Sequence, residues 1–239
     1  MGRATGLVMN TFDLSVVLSG QYHDWLISGF LLSIQLALIS LAIALPLAIV
    51  IAVLRMAPYA ALRAIAITYV EAIRNVPLLA HMLFWYFGAP ELLPTPIKSW
   101  IYDHNIEAVS AVIALVLYTA AYMSEDIRSG LRSIPKEQME AGRTLGFGFL
   151  STMRLVILPQ SLRVTVPPLI SQTLNLWKNT SIAMVIGVAE MMYQAQQVES
   201  STFRGFESYA VTTVGYVGVS IIITLLSSWY QQRYPVRSA

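Results

Sequence analysis

The amino-acid sequence predicts an all-α polytopic membrane protein with five transmembrane helices, and three observations carry that expectation. Of 239 residues, 56% are hydrophobic and 12% charged, against about 25% charged in a soluble globular domain. Five stretches are apolar enough to cross a bilayer, at 25–54, 64–87, 106–123, 164–188 and 209–229, where a spanning helix needs about 20 residues. The basic residues gather in alternate connections between those stretches. Backbone groups cannot stay unpaired in lipid, so the stretches must be helices or barrel strands. Runs this long do not fit barrel strands.

The elements follow in chain order. Residues 1–20 lack the basic segment, apolar run and small-residue cleavage pattern of a signal peptide, so the first span is expected to be retained. The whole chain, 1–239, then reads as one transmembrane domain. With the N-terminus outside, the inside stretches 55–63, 127–163 and 231–239 hold ten basic residues: Arg55, Arg63, Arg128, Arg132, Lys136, Arg143, Arg154, Arg163, Arg233 and Arg237. The outside stretches 1–24, 88–107 and 189–208 hold three, Arg3, Lys98 and Arg204, beside eight acids. Lys and Arg favour the inside, which orients the chain N-out and C-in. Trp25, Trp85, Trp100 and Trp229 lie near proposed span ends, where amphipathic rings prefer to sit.

Pro77 lies inside the second span and predicts a local bend. Pro90, Pro94 and Pro96 predict a stiff turn after that span, followed by a short interfacial helix over 97–103. The long inside segment, 135–158, departs from the otherwise short connections. Pro135 suits the first turn of a helix running to about residue 145. Gly146-Phe147-Gly148 breaks that helix and permits a reversal. Ser151 is a start signal for a second helix, which Leu158-Pro159 is expected to end. Spacing alone leaves two readings open: a pair of helices plugging into another protein, or an amphipathic pair lying on anionic lipid.

Polar residues inside the spans are the other candidate site. Lys178 falls in the fourth span, within Lys178-Asn179-Thr180-Ser181, and an ammonium facing lipid costs several kcal/mol. It is therefore expected to face the bundle interior, either to attract a substrate carboxylate or to form an internal salt bridge. Glu71 and Arg74 share one helical face near the inside start of the second span, which fits a mutual ion pair or an Arg74 contact to substrate. Glu125, Asp126 and Arg128 are expected to anchor the inside segment.

Several function classes are excluded. A net charge of +2 gives no argument for a nucleic-acid partner. Cys is absent, which removes disulfides, thiol nucleophiles and thiolate metal sites. His23, His81 and His104 lack ligand spacing. No Gly-x-x-x-x-Gly-Lys-Ser/Thr run occurs, and no Ser–His, Asp–Asp or His-x-x-x-His arrangement supports an intramembrane enzyme.

Glu140-Ala141-Gly142, then Gly146, then Val156-Ile157-Leu158-Pro159 resembles the Glu-Ala-Ala loop of the inner-membrane permease subunits of binding-protein-dependent ABC importers. Gly142 replaces the second Ala of that pattern, and Val156 replaces an Ile. The segment from Tyr69 to Leu79, with Ser133-Ile134-Pro135, Leu158-Pro159-Gln160, Val166-Pro167-Pro168 and Lys178-Asn179-Thr180-Ser181, is similar to the polar amino-acid subfamily. Pro90-Glu91-Leu92-Leu93-Pro94 and Phe206-Glu207-Ser208-Tyr209 resemble the glutamate/aspartate importers in particular.

The resemblance implies the type I ABC importer permease fold in a bacterial inner membrane. It implies that Glu140, Ala141, Gly142, Gly146, Phe147, Leu158 and Pro159 form a cytoplasmic coupling element seated in an ATPase. The polar residues within the spans, Lys178, Asn179, Thr180, Ser181 and Arg74, remain the candidates for the substrate pathway. The implied partners are a cytoplasmic ABC ATPase dimer holding ATP and magnesium, a second permease subunit (identical or homologous) and a periplasmic amino-acid-binding protein. No cofactor is expected on this chain. The implied solute is glutamate or aspartate, with glutamine or a basic amino acid as alternatives.

Overall fold

The computed structural model describes residues 12–103 and 105–235, so Arg3, His104, Arg237 and the reading of residues 1–11 lie outside the described residues. Every regular element among the described residues is helical. In order they are a 3₁₀ turn Leu14–Val16, α1 Gly20–Met56, α2 Ala60–Arg74, α3 Leu78–Leu83, a π-helical stretch Phe84–Gly88, α4 Ala89–Leu92, α5 Thr95–Asp103 and α6 Ile106–Arg132. Then come α7 Lys136–Thr144, α8 Phe149–Thr152, a second π stretch Met153–Ile157, α9 Leu158–Asn179, a 3₁₀ stretch Thr180–Ile186, α10 Met191–Thr202 and α11 Gly205–Arg233.

Three of these, α1, α6 and α11, are each long and apolar enough to cross a membrane alone. The other two expected spans are composites. The second breaks at Asn75–Pro77, more sharply than the expected bend. The Pro77 carbonyl restarts the helix by accepting from Ala80 and His81. The His81 ring then donates from Nε2 to the Ile73 carbonyl at 3.1 Å, adding to the longer 3.4 Å bond that this oxygen receives from the Val76 amide. His81 therefore closes a helix end. The fourth span runs through α9 and tightens into the 3₁₀ stretch. There Thr180 and Ser181 hydroxyls donate to the carbonyls of Trp177 and Lys178, both at 2.8 Å.

Two prolines behave otherwise than expected. Pro90 lies in the first turn of α4 and Pro159 in that of α9; neither makes a turn or a stop. Each follows a π-helical stretch, in which Ala89 donates to Phe84 and Leu158 to Met153, five residues back. The wider turn makes room for a proline ring that would otherwise collide with the carbonyl four residues earlier. The interfacial helix after Pro94 forms and begins at Thr95.

Packing rests on small residues. The buried positions of α1 include Gly29, Ser33, Ser40, Ala44, Ala48 and Ala52, and α6 answers with Ser110, Ala111, Ala114, Ala120 and Ala121. In lipid, close backbone approach replaces the hydrophobic effect as the force between helices. One apolar cluster joins Leu36, Met82, Leu115 and Leu176; another joins Ala48, Val70, Ala120 and Met123. At the far end of α6, Gly130 lies against α9, where an added Cβ would overlap Thr165 Oγ1 and come within 3.0 Å of Thr165 Cβ. On α11, Ile221, Ile222, Leu225, Leu226 and Trp229 are exposed together. An apolar surface this continuous is a lipid-facing one.

Candidate functional site

The inside segment forms a hairpin of two helices with a defined turn. α7 ends in a Schellman motif: Phe147 donates its amide to Gly142 at 3.0 Å, and Gly146 donates to Arg143 at 2.9 Å. The motif needs a residue in the left-handed region, and Gly146 supplies φ +83°. Gly142 has a separate role, because its α-carbon faces Thr152 across the hairpin. A Cβ there would penetrate Thr152 Cγ2 and lie 2.8 Å from its Oγ1. Thr152 is fully buried and donates its hydroxyl to the Gly148 carbonyl at 3.1 Å. The second helix starts at Phe149, two residues before the expected Ser151, and runs through the π stretch into α9 without a loop. Leu158 and Pro159 thus belong to the root of α9 and not to the tip.

The tip is apolar and bare. Leu145 and Leu150 are 75% and 80% exposed, with Phe147 and Phe149 beside them. Glu140, Ala141 and Arg143 flank them and are also exposed. Glu140 has no ion pair among the described residues, with Arg143 or any other cation. Four large apolar side chains at the end of a polar hairpin have the composition of a docking surface.

The second region is a polar cavity of about 420 Å³ between α6 and α9, lined by Tyr118, Tyr122, Gln172, Asn175, Lys178 and Asn179 among others. Lys178 also borders a second cavity, about 360 Å³, against Tyr209, Thr213 and Tyr216. Its side chain is exposed and makes no ion pair among the described residues, so the internal salt bridge is not formed. Asn179 lines the first cavity and Ser181 the second, whereas Thr180 is fully buried and serves the backbone. Arg74 is not at the inside start of its span. It ends α2, about 21 Å along that helix from Ala60 at 1.5 Å per residue. Its guanidinium lies 4.9 Å from the centre of the Tyr122 ring, so it flanks the cavity wall and leaves Glu71 unpaired with it. Tyr118 and Tyr122 hydroxyls are 3.3 Å apart and continue the polar wall.

Three arrangements escaped sequence reasoning. The amides of Gln172 and Asn175 line the cavity about two turns and one turn before Lys178, a spacing legible once the helix is known. Glu190 lies in an outside stretch by sequence but is fully buried. It accepts from the Tyr216 hydroxyl at 2.7 Å, the Tyr193 amide at 2.8 Å and the Ser33 hydroxyl at 3.2 Å, tying α1, α10 and α11 together. Trp177 joins this knot by donating its indole N–H to the Tyr216 carbonyl at 3.1 Å. Glu207 is also buried, beside Arg204 at 3.1 Å. Lastly, Glu125 receives hydrogen bonds from both Arg55 and Arg128, so it fastens α1 to α6 and not to the inside hairpin.

A family model described as the binding-protein-dependent transport system inner membrane component matches residues 44–235. The chain is 34% identical over 216 residues to the glutamate/aspartate import permease protein GltJ of Escherichia coli K12, covering 89% of this chain and 88% of that protein. It is 35% identical over 222 residues to the probable glutamine ABC transporter permease protein GlnM of Bacillus subtilis 168, covering 92% and 94%. Its fold matches the crystal structure of an amino acid ABC transporter with histidines at a TM-score of 0.82 and 28% identity, over 93% of this chain and 99% of that one. The inward-facing MetNI methionine ABC transporter shares the fold at a TM-score of 0.67 and 17% identity, over 90% and 99%. The chain belongs to the binding-protein-dependent transport system inner membrane components, with the type I importer permease fold, and is a transport subunit that works with an ABC ATPase and a second permease rather than an enzyme.

Proposed function

We propose that this permease carries an acidic amino acid, glutamate or aspartate, inward across a bacterial inner membrane. The observation that carries the reading is the polar cavity beside α9, with Lys178 on its rim and Arg74 behind its Tyr122 wall, neither of them ion-paired among the described residues. Two cations beside a cavity lined by amides and phenols suit a solute with an extra carboxylate. The relatedness to GltJ supports the same solute. Glutamine is the second reading, favoured by the amides of Gln172, Asn175 and Asn179 in the same wall and by the relatedness to GlnM.

The chain works as one transmembrane domain. Its open cavity face receives the second permease subunit, identical or homologous. The hairpin tip, from Glu140 through Leu150, seats in an ATPase dimer that holds ATP and magnesium. The N-terminus is periplasmic and the C-terminus cytoplasmic, since Arg55, Arg63, Arg128, Arg132 and Arg233 lie at the helix ends nearest the hairpin. A periplasmic amino-acid-binding protein delivers the solute to the opposite face. With Glu190 and Glu207 buried, the acids left to meet it there include Asp24, Glu91 and Asp103. The test is uptake of labelled glutamate into vesicles holding the complete importer and receptor. Unlabelled aspartate should compete and arginine should not. Competition by glutamine alone would transfer the assignment to the amide, and competition by arginine would remove it.

A further inference from the structure

Arg55 lies in the last turn of α1, Arg63 in the first turn of α2, and Arg128 and Arg132 at the end of α6. The short connection from α1 to α2 brings these ends together, and the four guanidinium groups line one cavity of about 460 Å³ with Met56 and Ile67. Glu125 is the carboxylate that engages them, and it holds Arg55 and Arg128. Arg63 and Arg132 are exposed and have no ion pair among the described residues. Four positive charges against one negative charge leave an excess of three.

A second observation is independent of charge. The Arg55 side chain is only 10% exposed, yet its Nε has no hydrogen-bond partner among the described residues. A buried guanidinium N–H without an acceptor is unfavourable, so pairing with Glu125 leaves Arg55 with donor capacity unused among the described residues. An apolar groove of about 240 Å³ adjoins the cavity, sharing Met56 and Arg132 and continuing along Leu131, Ile134, Met139 and Ile157.

We propose that this cavity binds the phosphate headgroup of an anionic phospholipid, whose acyl chains run from it into the bilayer past the exposed Ile67, one turn further into α2. Guanidinium groups match phosphate oxygens in paired hydrogen bonds. Helix ends at the basic face of a membrane protein lie at headgroup depth, where such pockets take anionic lipids. A free phosphate would satisfy the arginines alone, whereas a lipid also uses the apolar side of the cavity at Met56 and Ile67. The adjoining groove includes Met139 of α7, so the bound headgroup sits beside the root of the hairpin. This site requires only that these helix ends meet the membrane interface. Its failure would leave the transport reading standing.

The test is native mass spectrometry of the complete importer, permease and ATPase together, titrated with phosphatidylglycerol or phosphatidylcholine. Saturable retention of phosphatidylglycerol over phosphatidylcholine is expected. Arg63→Gln with Arg132→Gln should weaken that retention about 30-fold, the effect of two interfacial cations. Arg163→Gln with Arg233→Gln removes the same charge from exposed positions elsewhere and should match wild type. Arg63→Lys with Arg132→Lys should recover part of the loss, which separates charge from misfolding. Equal retention by the Gln pair and wild type would overturn the site. Displacement of the lipid by millimolar inorganic phosphate would assign the arginines to a free anion and overturn the lipid assignment.

Discussion

Substituting Gly142→Ala tests the packing of the hairpin directly. The new methyl would penetrate Thr152 Cγ2, 2.8 Å from Oγ1 and 3.2 Å from Cβ. Thr152 cannot easily yield, because its side chain is β-branched, fully buried and held by the hydrogen bond to Gly148. Overpacking of this kind costs about 1–3 kcal/mol. Replacing glycine inside a helix returns about 1 kcal/mol through better propensity. The net expectation is a loss of about 1 kcal/mol in hairpin stability, or about fivefold in its opening equilibrium. Thr152→Ala removes both offending atoms and should cancel most of the loss, giving a favourable coupling of about 1–2 kcal/mol in the double-mutant cycle. Amide hydrogen exchange over 136–157, measured on the assembled importer, reads this as faster exchange in Gly142→Ala and recovery in the double variant. Unchanged protection in the single variant, or simple addition of the two effects, would refute the steric argument.

Other outcomes follow from the same geometry. Gly146→Leu places a branched side chain at φ +83° with open space around it, so insertion should survive while transport per ATP in a reconstituted sample falls severely; Glu140→Ala should be milder. Wild-type transport per ATP in Gly146→Leu would remove the hairpin from coupling. Gly130→Ala drives a methyl into Thr165 at the α6–α9 crossing; overpacking of about 1–3 kcal/mol should show as a lower melting temperature of the solubilised complex, and an unchanged midpoint would contradict so close an approach of the two helices. Lys178→Met should raise the glutamate concentration needed for half-maximal uptake, and intact affinity and rate would end its substrate role. The Lys98 ammonium donates to Glu91 at 2.6 Å, which holds the Glu91 carboxyl below its ordinary range and raises Lys98. That pair's contribution should therefore be constant through neutral pH, fall away as acid protonates Glu91, and fall away again as alkali discharges Lys98. Exchange protection of α5 against pH, in wild type and in Glu91→Gln, checks it.

The spans were legible because hydrophobic length is a one-dimensional property, visible without any partner. Gly146 was legible for a similar reason: a turn needs a residue that tolerates positive φ, and the need is local. Gly142 read only as a departure from a family pattern, because its cause, Thr152, lies across the hairpin. Likewise the burial of Glu190 depends on Ser33 and Tyr216, far away in the chain, and no local pattern announces such a knot. The prolines misled for a different reason. Pro90 and Pro159 carry strong stop signals, and the π stretches that neutralise them leave no mark in composition. Arg74 misled through depth, since a span whose break at Asn75–Pro77 divides it in two puts that residue at the end of a helix rather than near its start.

The loop-free join between the hairpin and α9 makes a lever arm of that helix. From Leu158 to Asn179 it is 22 residues long, about 33 Å at the helical rise. Its lower end is rooted in the hairpin proposed to seat in the ATPase, and its upper end carries Lys178 and Asn179. A tilt of about 10° about the root would sweep the upper end through about 6 Å over that length. A movement of that size is comparable to the length of an amino-acid side chain. The π stretch at the pivot, wider than an α turn, and Pro167-Pro168 within the arm, which lack backbone N–H donors, are where its hydrogen bonding is least regular.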